Sequence, residues 1–142
     1  MLVAEILKNK GPNVFSIAPT ATMAEACEAL RSRGVGALVV CDQDRVAGVL
    51  SERDVVGAVA VDGPSSLGRP VSHYMTSKVI FAEPGETVAI LMSRMTDRRI
   101  RHLPVLSGER LVGVISIGDL VKCQIAEATQ DAEAMRSYIA AG

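Results

Sequence analysis

The chain states one pattern twice. Residues 14–56 slide onto residues 79–121 without a gap, at a constant offset of 65 (84 − 19 for the two prolines). Pro19 falls on Pro84, Thr22 on Thr87, Leu38 on Leu103, Val40 on Val105 and Gly48 on Gly113. Two polar positions repeat as well: Ser51 falls on Ser116 and Asp54 on Asp119. One copy of such a unit cannot bury its apolar face alone, so two copies are expected to pack about a pseudo-twofold axis. Polar residues at fixed places in otherwise divergent copies then mark two related sites.

The 142 residues suffice for one compact domain made of two halves, and a hydrophobic share of 49% supplies its core. A charged share of 22% argues against disorder. The net charge of −1 offers no field to recruit nucleic acid or an acidic membrane, and no stacking-aromatic array is present. The longest apolar runs, 35–41 and 55–61, fall well short of the roughly 20 residues of a membrane helix. The first residues, with Glu5 among apolar neighbours, read as an amphipathic helix rather than a signal peptide. Cys27, Cys41 and Cys123 each sit in an apolar run and read as small buried hydrophobes in a reducing cytoplasm. No metal-ligand spacing occurs, and no thiol has a base beside it, so neither metal nor catalytic chemistry is expected.

Each copy reads as β-α-β-β-α. In the first, a short strand over 14–17 closes at Pro19. Thr20 or Thr22 then caps a helix whose Met23, Ala26, Cys27 and Leu30 follow helical spacing to Gly34. The run 36–41 has the continuous apolar character of a buried strand, 42–45 makes a turn, and 46–50 returns as its hairpin partner. A helix starts at Ser51. The second copy repeats the order with strand 79–82, helix 87–98, strand 101–106, turn 107–109, strand 110–115 and a helix from Ser116. Gly63 to Pro70 reads as a joining loop. The entry segments echo one another, Val3-Ala-Glu-Ile-Leu-Lys against Val71-Ser-His-Tyr-Met-Thr, with three extra residues around Gly11-Pro12 in the first. The last helix runs on to about residue 140 with an apolar stripe of Ile125, Ala128, Ala132, Met135 and Ile139, which suits a partner.

This order, the Gly48-Val-Leu-Ser-Glu-Arg-Asp54 and Gly113-Val-Ile-Ser-Ile-Gly-Asp119 segments, and Arg101-His-Leu-Pro-Val105 resemble the cystathionine-β-synthase (CBS) domain. Two in tandem resemble a Bateman module. The resemblance implies an α+β fold of two pseudo-twofold-related repeats: residues 1–62 as repeat 1 with its N-terminal helix, 63–70 as linker, 71–124 as repeat 2 and 125–142 as a C-terminal helical extension. It further implies a cytoplasmic, non-catalytic module that binds an adenine nucleotide between repeats and acts as an energy sensor, with no cofactor required. AMP, ADP, ATP, NAD(H) and S-adenosylmethionine are the implied ligands, and an effector protein and a homodimer the implied partners. A ligand-free interaction module is the rival reading.

Ser51-x-x-Asp54 and Ser116-x-x-Asp119 carry two readings together. Ser followed three residues later by an acid forms a capping box at a helix start. The carboxylate can also accept both hydrogen bonds of a ribose 2′,3′-diol, while the helix N-terminus favours a nearby phosphate. In similar proteins these positions take those ligand roles. Arg98 and Arg99 read as a helix end that complements the macrodipole. Arg101 and His102 open an otherwise apolar strand, and the resemblance implies that they reach the phosphate of a nucleotide held by the other repeat. Gly36 and Ala37 replace them in the first copy, so unequal sites are expected, with the Asp54 site the better for phosphate. Arg53, in a first helical turn where it opposes the dipole, is either a phosphate contact or the partner of Glu52 or Asp54. The resemblance adds Ile17, Ala37 and Ala82 to the ligand-binding set.

Overall fold

A computed structural model describes residues 1–11 and 13–141. They form two compact units, one of residues 13–81 with 108–111, the other of residues 1–11, 82–107 and 112–141.

The first unit holds β1 (Ser16–Ile17), α2 (Met23–Arg33), β2 (Ala37–Asp42), β3 (Arg45–Ser51) and α3 (Glu52–Asp62). Strand β1 runs parallel to β2, with Ile17 opposite Val40, and β2 pairs antiparallel with β3, with Leu38 opposite Leu50. Thr22 caps α2 by accepting the Glu25 N–H at 3.1 Å, and Gly34 ends it at φ 63°, in the left-handed region where a Cβ is penalised. Met23, Ala26, Leu30, Leu38, Val40, Leu50, Ala58 and Val71 make the core.

The second unit repeats this with α4 (Val88–Arg98), β4 (His102–Ser107), β5 (Arg110–Ser116) from residue 112 on and α5 (Ile117–Ala141), and it takes α1 (Val3–Lys10) from the start of the chain. Its buried Val88, Leu91, Met95, Leu103, Val105, Ile115 and Cys123 stand at the offset of 65 from Met23, Ala26, Leu30, Leu38, Val40, Leu50 and Ala58. The repeat is thus a repeat of buried positions.

Two expectations need correction. Residues 79–82 form no strand; Ala82 alone makes a parallel bridge, to Val105. That bridge matches Ile17 on Val40, so the edge survives as one rung, the Ala82 N–H donating to the Pro104 carbonyl and its own carbonyl accepting from Leu106 (2.9 Å each). The segment from Gly63 is not an open loop but a 3-10 helix over Gly63–Gly68. Pro64 suits its first turn, and the Ser65 and Ser66 hydroxyls donate back to the Asp62 and Gly63 carbonyls at 2.7 Å each.

The entry segments change places. Val71, ahead of the second repeat in sequence, is buried in the core of the first unit, and Val3 is buried in the second. The backbone bonds that hold them correspond one to one. Val71 N–H donates to Ala21 and Ser72 to Pro19 (2.7 and 3.0 Å), while Val3 donates to Glu86 and Ala4 to Pro84 (2.9 and 3.0 Å). Sequence repeats and spatial units therefore differ by these two segments and by residues 108–111.

Candidate functional site

The Ser-x-x-Asp positions sit where a β-strand of small and branched residues runs directly into a helix. In the first unit Ser51 ends β3 and caps α3: its hydroxyl accepts the Asp54 N–H at 3.3 Å, and Asp54 Oδ2 accepts the Ser51 N–H at 2.9 Å. In the second unit Asp119 Oδ2 accepts the Ser116 N–H at 2.9 Å, and the Ser116 hydroxyl accepts the Asp119 N–H at 3.2 Å. The strand before each helix is tethered in the same way, Glu52 N–H to the Gly36 carbonyl at 3.0 Å and Ile117 N–H to the Arg101 carbonyl at 2.8 Å. The capping reading therefore holds in both copies. Both carboxylates stay half-buried at a helix N-terminus, and each has lone pairs beyond those the cap uses. This is an acceptor placed beside the positive end of a helix, suited to hydroxyl donors with an anion nearby.

The entry segments bring different groups to the two carboxylates. Thr76 lies beside β3, exchanging both backbone bonds with Val49 (2.9 and 3.0 Å), and its hydroxyl stands 3.4 Å from Asp54 Oδ1. In the second unit the equivalent carbonyl, Val114, accepts instead from the Lys10 ammonium at 2.8 Å. The same ammonium bonds Asp119 Oδ2 at 2.8 Å. Partial burial pushes the Asp119 carboxyl up, but the Lys10 ammonium and the Ser116 N–H outweigh it and leave the group below its ordinary value. Lys10 was not among the residues singled out from sequence. It lies outside the gapless repeat, and no short-range spacing ties it to Asp119.

The remaining candidates fall as follows. Arg53 is exposed in the first turn of α3, Arg101 is exposed just ahead of β4, and His102 is half-buried at the start of that strand. Ile17 and Ala37 are half-buried on β1 and β2, where Ala37 pairs with Ser51. Ala82 is fully buried with both backbone polar groups engaged. Asp54, Arg53, Ser51, Ile17 and Ala37 belong to the first unit; Asp119, Ser116, Arg101, His102 and Ala82 belong to the second. Among the described residues no group of three or more His, Cys, Asp or Glu side chains could hold a metal ion. Among them, too, no helix is long and apolar enough to cross a membrane.

The model of the CBS domain matches this sequence twice, over residues 3–61 and 71–126. The chain belongs to the CBS-domain family. The CBS domain-containing protein CBSX3, mitochondrial, of Arabidopsis thaliana is 32% identical over 99% of this chain and 72% of its own length. The crystal structure of the CBS-domain containing protein ATU1752 from Agrobacterium tumefaciens is 41% identical. It superposes with a TM-score of 0.86 over 87% of this chain and 99% of that one. The CBS domain protein PAE2072 from Pyrobaculum aerophilum, complexed with AMP, is 32% identical, with a TM-score of 0.74 over 84% of this chain and 89% of that one. The two CBS matches begin at Val3 and Val71, the two residues whose burial anchors the exchanged entry segments.

Proposed function

We propose that this CBS pair is a cytoplasmic regulatory module, without catalytic activity, that binds an adenine nucleotide such as AMP. Asp54 takes the ribose diol, and Ser51 with the N-terminus of α3 favours the charge beside it. The observation that carries this reading is the Asp54 carboxylate, half-buried at a helix N-terminus with one oxygen 3.4 Å from a neutral hydroxyl. The AMP complex of the 32%-identical PAE2072 points to the same ligand class. Arg53, Arg101 and His102 are the proposed phosphate donors, a role that suits Arg for its bidentate fork. ATP, ADP and NAD(H) share the adenosine moiety that this reading invokes, and so does S-adenosylmethionine.

Asp54→Asn tests it. The amide oxygen can still accept the Ser51 N–H, so the cap persists, while the charge and one acceptor oxygen are lost. Calorimetry with AMP should show binding weaker by about 1.5–3 kcal/mol, the range for hydrogen bonds to a charged group. An Asp54→Asn protein that binds AMP as the unaltered chain does would leave Asp54 with a capping role alone. A second reading, an interaction module without ligand, is favoured by Val56, Val59 and Val61, which stand 69, 44 and 81% exposed on α3. Absence of any thermal shift in millimolar AMP would select it, because a ligand bound to the native state raises the midpoint.

A further inference from the structure

The two repeats build the same carboxylate and then treat it differently. At Asp54 the cap uses Oδ2, and among the described residues Oδ1 meets the Thr76 hydroxyl, at 3.4 Å. A hydroxyl that far away is a weak donor that can rotate to another acceptor. At Asp119 the cap also uses Oδ2, and the Lys10 ammonium binds that same oxygen at 2.8 Å. This contact is charge-assisted and half-shielded, with the Asp119 side chain only 23% exposed. Lys10 is also held from behind by the Val114 carbonyl at 2.8 Å. That is the acceptor whose counterpart in the first unit, Val49, takes a backbone N–H from Thr76. The ammonium thus replaces a backbone rung and reaches the carboxylate in one stroke.

A vicinal diol needs both carboxylate oxygens to bind in the bidentate manner. Asp54 can offer both once a neutral hydroxyl turns aside. Asp119, whose Oδ2 already takes both the Ser116 N–H and the Lys10 ammonium, can do so only if that ion pair opens. We propose that Lys10 is the specificity-determining residue of the second CBS site, closing the Asp119 carboxylate to a ribose diol and leaving the Asp54 site to fill first. The inference rests on the reading of these carboxylates as diol acceptors. It assigns the inequality to a residue of the entry segment, independently of any phosphate donor.

Titration of the full chain and four variants with AMP by calorimetry tests it. The unaltered chain should show one tighter phase of about one AMP per chain, and Asp54→Asn should weaken that phase. Lys10→Met, which keeps an unbranched stem, should strengthen the weaker phase by about ten-fold or more, and adding Asp119→Asn to it should remove that gain. Lys10→Gln, which keeps a donor for the Val114 carbonyl, should act in the same direction, so a folding defect of one variant does not decide the matter. If Asp54→Asn weakens the tighter phase but neither Lys10 variant strengthens the second, the diol reading stands and the role of Lys10 is overturned. Two equal phases in the unaltered chain overturn it as well. If Asp54→Asn leaves AMP binding unchanged, the diol reading itself fails.

Discussion

Gly48 and Gly113 occupy the same position in the two repeats, yet substituting them should have unequal consequences. A Cβ on Gly48 would stand 2.8 Å from the Met75 sulfur and 2.8 Å from the Thr76 carbonyl oxygen. A Cβ on Gly113 would stand 2.5 Å from one Leu7 methyl and 3.2 Å from the other, with no backbone atom among its nearest neighbours. The end of a half-buried leucine can turn away; a carbonyl in a bridge with Val49 cannot move without breaking that bridge. Overpacking costs about 1–3 kcal/mol, and a lost backbone hydrogen bond about 1 kcal/mol more. Gly48→Ala should therefore destabilise by about 3 kcal/mol, and Gly113→Ala by about 1 kcal/mol. For a chain of this length each kcal/mol moves the melting midpoint by about 3–5 °C, so calorimetric scans should separate the two variants by several degrees. Adding Leu7→Ala to Gly113→Ala should give a loss smaller than the sum of the single losses, since the double variant removes the clash. Adding Met75→Ala to Gly48→Ala should relieve it only in part, because the Thr76 carbonyl remains. Equal losses for the two glycines, or full rescue by Met75→Ala, would refute the argument that backbone rather than side chain sets the difference.

Two further outcomes follow from the same geometry. Glu86, gripped bidentately by Arg94 and bonded by the Glu83 N–H, is held below the usual carboxylate range chiefly by the Arg94 contact, and Asp119 is lowered on balance as well. Both therefore add stability that is present above their unfolded values of about 4.3 and 3.9 and is lost as pH falls through the lower folded values. The urea midpoint should drop below about pH 4, and Glu86→Gln should flatten that drop; an unchanged acid limb would contradict it. The part of α5 beyond Cys123 should carry a homodimer contact through Ile125, Met135 and Ile139, which stand 62, 61 and 69% exposed. Removing residues 124–142 should lower the mass in light scattering, and a full chain that stays monomeric at high concentration would defeat the idea.

What the sequence made legible was whatever repeats. The offset of 65 that aligned Ser51 with Ser116 also aligns Met23 with Val88 and Leu50 with Ile115 in the two cores, because buried positions constrain residue type most strongly. Helix ends were readable for a local reason: Thr22, Thr87 and Ser51 cap within three residues of themselves. Residues 79–82 misled because an apolar run at an edge needs neighbours to become a strand, and only Ala82 finds one. The Gly-Pro-Ser-Ser segment misled because turn-forming residues also form 3-10 helices, and Ser66 is fully buried in one.

The exchange of entry segments was half visible, and its invisible half decides the difference between the sites. The echo of Val3 with Val71 signalled two equivalent segments, but nothing local says which repeat each will cover. The three additional residues around Gly11 mark where they diverge. In the first segment they let α1 run on to Lys10, while the shorter second segment has only a 3-10 turn over Val71–His73 and leaves Thr76 beside β3. A small insertion thus substitutes an ammonium for a backbone N–H at one strand carbonyl, and that ammonium lies within reach of a carboxylate 109 residues away. Divergence between repeats need not act on the motif residues themselves. Here the Ser-x-x-Asp pair is the same in both copies, and the distinction lies in the segment laid across it.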